Sequence, residues 1–157
     1  MQSGQWGEAV AAFSKALELQ PNSAQAQNHL AWLLATCTDA RLRDPRRAVA
    51  LARKGVEIAP GDGMIWNTLG VAHYRAGDWD TAVAALEKSN DLLGGKELGF
   101  NAFFLAMAHW QRGDKPHACS WYDRAVCWME KNRPKEEELL RFRAEAAAML
   151  GVKKTKN

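Results

Sequence analysis

At 157 residues the chain is one domain's worth of sequence, and its 47% apolar content is that of a soluble protein able to bury a core. A net charge of +3 is too small to point to a polyanion, and three cysteines, an odd number, give no disulfide framework. No apolar run approaches the roughly 20 residues of a membrane helix. No charged-then-apolar leader opens the chain either, so a reducing, cytoplasmic setting with no membrane attachment is expected.

The predicted elements are all helices. Residues 5–20 carry an apolar stripe at Val10, Phe13 and Leu17, and Pro21-Asn22 ends them. A second helix is expected over 24–37. An unusually long turn follows around 36–43. Asp44-Pro45 then starts the next helix, with Asp44 as N-cap and proline at the first helical position. It runs to about residue 59 and stops at Pro60-Gly61. Helices at 63–76 and 79–93 flank Gly77-Asp78, and Gly94-Gly95 loosens the next junction. Helices at 99–112 and 115–131 flank Gly113-Asp114, and Arg133-Pro134 breaks the chain again. The last helix, 135–150, opens on Glu136, Glu137 and Glu138, where a helix N-terminus favours negative charge. Its stripe is Leu139, Phe142, Ala146 and Met149, with Arg141, Arg143 and Glu145 off it. Gly151 stops it, and 152–157 is a basic tail.

Trp66, Leu69-Gly70 and His73, followed by Ala82, Leu86 and Ser89, form one motif in which small residues let two helices approach and large ones fill the flanks. The motif recurs. Taking Ala82 as anchor, the equivalents are Ala9, Ala48 and Ala118, separated by 39, 34 and 36 residues. Seven residues after each stand Ala16, Gly55, Ser89 and Ala125, all small. Ten after stand Leu19, Ile58, Leu92 and Trp128, all apolar. This pattern resembles the tetratricopeptide repeat, W-x2-L-G-x2-Y then A-x3-F then P, with His73 in place of the tyrosine and Gly94 in place of the proline.

The resemblance covers nearly the whole chain. It implies an all-α array of antiparallel helix pairs stacked as a right-handed superhelix: a half repeat at 1–23, repeats at 24–62, 63–98 and 99–132, and a capping helix at 133–151. The repeat at 24–62 has five residues inserted in its turn. The segment Leu30–Pro60 and the closing helix also look like arrays in bacterial proteins, some attached to kinases. That likeness suggests a regulatory segment of something longer, although no kinase motif is present.

Members of this family line a concave face with their first helices and use it to hold a peptide or helix of a partner protein. Carried onto this chain, the stripe is Asn28, Asn67 and Phe103, then Trp32, Val71 and Met107, then Tyr74, Arg75 and Trp110. It is polar at Asn28 and Asn67, where an amide could pair with a peptide backbone. It is apolar at Phe103, Met107 and Trp110, where an aromatic anchor is worth about 2 kcal/mol or more when desolvated. The competing reading packs Phe103 and Trp110 on neighbouring helices. A carboxylate-clamp mode is disfavoured, because only Arg75 is basic. A second function of a different class is self-association, a homodimer formed through Val10, Phe13 and Leu17 on the half repeat, whose usual neighbour helix is missing.

Nothing in the sequence calls for catalysis, a cofactor or a metal. His73 and His109 hold the same repeat position and could stack on adjacent repeats, but the simpler role is the tyrosine's packing role. His117 with Cys119 lacks an orienting third group. Cys119 and Cys127 lie two turns apart, about 12 Å at 1.5 Å per residue, and are expected as small core residues. Trp66, Trp79, Trp121 and Trp128 are expected at packing positions. The basic cluster Arg41, Arg43, Arg46, Arg47, Arg53 and Lys54 is interspersed with Asp39 and Asp44, so a solvated face is favoured over nucleic acid.

Overall fold

The computed structural model describes residues 3–152, so the tail from Lys153 to Asn157 falls outside the described residues. The described residues form eight helices and no strand: α1 (Ser3–Leu19), α2 (Ala24–Thr36), α3 (Pro45–Ile58), α4 (Gly63–Ala76), α5 (Trp79–Leu93), α6 (Leu98–Gln111), α7 (Lys115–Asn132) and α8 (Glu137–Leu150). None is long and apolar enough to cross a membrane. Sequential helices pack in pairs, α2 with α3, α4 with α5 and α6 with α7. The first helices α2, α4 and α6 form one layer, and α8 joins it beside α6.

Side chains cap several helix starts, Asp44 among them as expected. Ser23, Asp44, Asp62 and Asp114 accept hydrogen bonds from the backbone N–H groups of Ala26, Arg47, Met64 and His117. The two short turns share a geometry. Gly77 (φ 83°) and Gly113 (φ 80°) adopt the left-handed conformation that glycine tolerates best. The next residues, Asp78 and Asp114, return their N–H groups to the carbonyls of His73 and His109 at 3.0 and 2.9 Å.

Small residues make the close approaches. A Cβ on Gly70 would stand 2.5 Å from Leu86 Cγ and 3.2 Å from the Ala82 carbonyl. Ala48, Ala82 and Ala118, the recurring anchors of the second helices, are fully buried. Trp66, Trp79, Trp121 and Trp128 pack half-buried against the core. A buried polar chain ties α4, α5 and α6 together. Asn67 Nδ2 donates to Asn101 Oδ1 (2.8 Å), and Asn101 Nδ2 donates to Ser89 Oγ (3.0 Å) and Asn90 Oδ1 (2.7 Å). Ser89 donates to the Gly63 carbonyl (2.7 Å).

Three expectations change. Cys119 and Cys127 are exposed, because the buried stripe of α7 is Ala118, Tyr122, Ala125 and Met129; the buried cysteine is Cys37. His109 does not stack across repeats on His73 but on His117 of its own repeat, ring centres 5.4 Å apart. The last helix does more than close the end: its side chains reach back to α6, α4 and α2.

Candidate binding groove

The first helices present one side to α8. On α8, Glu138, Phe142, Glu145 and Met149 are spaced four, three and four residues apart and share a helix face. Glu138 accepts a hydrogen bond from the Trp32 indole N–H (3.1 Å), and Phe142 meets the Trp32 ring edge-on at 6.1 Å. Phe142 also packs on Phe104 (4.8 Å), and Phe104 on Tyr74 (5.5 Å). Arg75 grips Glu145 with both terminal nitrogens while its guanidinium lies 5.2 Å from the Phe104 ring. The Tyr74 hydroxyl and the Gln111 amide both approach Met149 sulfur. Burial pushes the Tyr74 phenol up to about 12, and it raises the Glu138 carboxyl above the ordinary glutamate range.

The stripe read from the sequence therefore divides. Val71, Phe103 and Met107 are fully buried, and Phe103 packs on Tyr122 of α7, so these three serve the interior rather than a surface. Phe104, one residue further on, faces α8 through Phe142. Tyr74 and Arg75 are engaged by α8. Trp110 is half-buried with Lys115 Nζ 5.1 Å from its ring, at the far end of α6.

Asn28, Trp32 and Asn67 come together. With Met64, Phe100 and Arg133 they line an open pocket of about 350 Å³ at the N-terminal ends of α4 and α6 and beside the start of α8. Asn28 Oδ1 is buried there without a hydrogen-bond partner. Arg133 is held by Glu97 (2.7 Å) and lies 5.7 Å from the Phe100 ring. Met64 is 41% exposed at the rim. The sequence pattern missed Met64, Phe100 and Arg133, because the first two stand outside the aligned repeat positions and Arg133 lies in the break before the capping helix.

The half repeat also uses its stripe internally. Val10, Phe13 and Leu17 are half-buried against the core, and Phe13 meets the His29 ring at 5.2 Å. The arginines of the inserted turn are partly committed to it. Arg41 pairs with Asp39 through two nitrogens, and Arg43 Nε donates to the Cys37 carbonyl at 2.9 Å.

The chain belongs to the tetratricopeptide repeat family. Two family patterns match in succession, TPR repeat over residues 1–35 and tetratricopeptide repeat over 38–91. Arrays of this family act as protein-interaction scaffolds. No curated protein matches the sequence. Among solved structures the fold is similar to MamA 41-end from Desulfovibrio magneticus RS-1, with a TM-score of 0.66 and 21% identity over 83% of this chain and 70% of that one. It is likewise similar to a crystal structure of MamA, with a TM-score of 0.64 and 17% identity over 93% and 89% of the two chains.

Proposed function

We propose that the chain is a non-catalytic scaffold that holds an extended segment of a partner protein in the pocket around Asn28, Trp32 and Asn67. The supporting observation is the convergence of Asn28, Trp32 and Asn67 with Met64 and Phe100 on one open pocket along the first helices. Trp32, Met64 and Phe100 supply apolar surface there, and the Arg133–Glu97 pair and Glu138 give the rim both charges. α8 illustrates the chemistry the first helices accept, a carboxylate on the Trp32 indole and an aromatic ring on its edge.

The test begins with selection of peptides from a random displayed library against the full chain. The best binders are then titrated by fluorescence anisotropy against single variants. Asn28→Ala and Met64→Glu should each weaken binding about tenfold or more, while Arg124→Ala on α7 should leave it unchanged. Met64 lies at the rim and can change without unfolding the array. Undiminished binding to both pocket variants would reject the reading.

Self-association is the second reading. It draws on Leu19, 76% exposed at the end of α1, rather than on the half-buried Val10, Phe13 and Leu17. Light scattering across a concentration series distinguishes it, since a monomer throughout would leave the peptide pocket alone.

A further inference from the structure

The two short turns of the array share a histidine, a glycine and an aspartate at the same spacing, and differ in the side chain three residues after the aspartate. In the first, His73 Nδ1 lies 3.0 Å from Asp78 Oδ2, and Thr81 donates to Asp78 Oδ1 at 2.9 Å. In the second, His109 and Asp114 replace His73 and Asp78, and His117 stands where Thr81 stood. His109 Nδ1 lies 3.4 Å and His117 Nδ1 2.8 Å from the same oxygen, Asp114 Oδ2. A threonine hydroxyl is a poor ligand for a transition metal, whereas imidazole is a good one. The change turns a His–Asp–Thr staple into three ligating groups whose donor atoms all fall within 4.8 Å of one another.

His109 supplies an independent observation. Its side chain is only 9% exposed; Nε2 is buried without a hydrogen-bond partner, and Nδ1 faces the Asp114 carboxylate only at a long 3.4 Å. A buried imidazole so weakly engaged is costly unless something else completes it. His117 stacks on it with the rings 27° from parallel, and is 68% exposed, so the cluster opens to solvent on one side. Arg112, in the same turn, is paired with Asp80 at 2.7 Å.

We propose that His109, Asp114 and His117 bind a divalent transition-metal ion of the Zn²⁺ class at the turn between α6 and α7. Ligand bonds of about 2.0–2.2 Å in a tetrahedral site place donor atoms about 3.3 Å apart. The separations of 2.8 and 3.4 Å to Asp114 Oδ2 bracket that spacing. Two imidazoles and one carboxylate leave a fourth position, on the exposed side, for water or a side chain of another molecule.

The test uses the full chain stripped of metal and titrated with ZnCl₂ by calorimetry, and with Co²⁺ by visible absorption. One ion per chain is expected, with a tetrahedral Co²⁺ spectrum and no sulfur-to-cobalt charge-transfer band. His117→Ala, at an exposed position that the fold does not need, should weaken binding more than about 100-fold, since even residues outside the ligand set are worth about 10–100-fold. Thr81→His should add a second ion by completing the same constellation at the first turn. The proposal is overturned by absence of saturable binding, by full affinity in His117→Ala, or by a charge-transfer band that assigns the ion to Cys119 or Cys127. An unchanged stoichiometry in Thr81→His would count against the geometry as sufficient.

Discussion

Gly70 shows how one missing side chain sets the distance between two helices. Alanine is ordinarily about 1 kcal/mol better than glycine inside a helix. Here its Cβ would meet Leu86 Cγ at 2.5 Å with the Ala82 carbonyl behind it, and overpacking of this kind costs about 1–3 kcal/mol. Gly70→Ala is therefore expected to be net destabilising in urea unfolding, by about 1–2 kcal/mol. Asn101 is the other residue on which much depends. It joins Asn67, Ser89 and Asn90, and its removal would leave the Asn67 amide and the Asn90 carbonyl unpaired. At about 1–3 kcal/mol for each buried orphan, Asn101→Ala should cost about 2 kcal/mol or more. A loss below half a kcal/mol would mean that water replaces the missing partner.

At the scale of elements, the α4–α5 turn carries a pH dependence. Burial lowers the His73 basicity below the ordinary value of 6.5, more than Asp78 restores it, and Arg53 lowers it further. The unfolded chain therefore takes up this proton at higher pH than the folded one. Its contribution to stability is complete above the ordinary imidazole range and is lost as pH falls through that range towards the lower folded value. Thermal melts from pH 7.5 to 5 should show a falling midpoint, and His73→Gln should flatten that slope. The docking of α8 is a second element-scale matter. Arg75 is 16% exposed and makes two charge-assisted bonds to Glu145. Arg75→Ala should weaken docking by about 1–3 kcal/mol and speed hydrogen exchange of the α8 amides more than those of α5. Equal acceleration in both helices would mean that α8 and the array unfold together.

At the scale of the whole molecule, the repeat was legible because its marks are steric and recur. Alanine, glycine and leucine at fixed offsets place every helix pair and both short turns. The surroundings of the proposed binding stripe were less legible. Asn28, Trp32 and Asn67 do converge, but the repeat alignment cannot tell that α8 lies against Trp32, Arg75 and Phe104, nor that Phe103 turns to Tyr122. Those outcomes depend on contacts between residues as much as 106 positions apart, which local periodicity does not carry. The histidine cluster had a signal in its spacing, His109-x4-Asp114-x2-His117, but the repeat alignment assigns only His109 and hides His117 within the next helix. The measurement that bears most directly on the account is a ¹H–¹⁵N correlation spectrum of the full chain, recorded as a selected peptide is added. The Trp32 indole and the Asn28 and Asn67 side-chain amides should shift first and saturate together. Shifts confined to the outer faces of α7 and α8, with those three signals unmoved, would contradict the pocket as the place where this scaffold meets its partner.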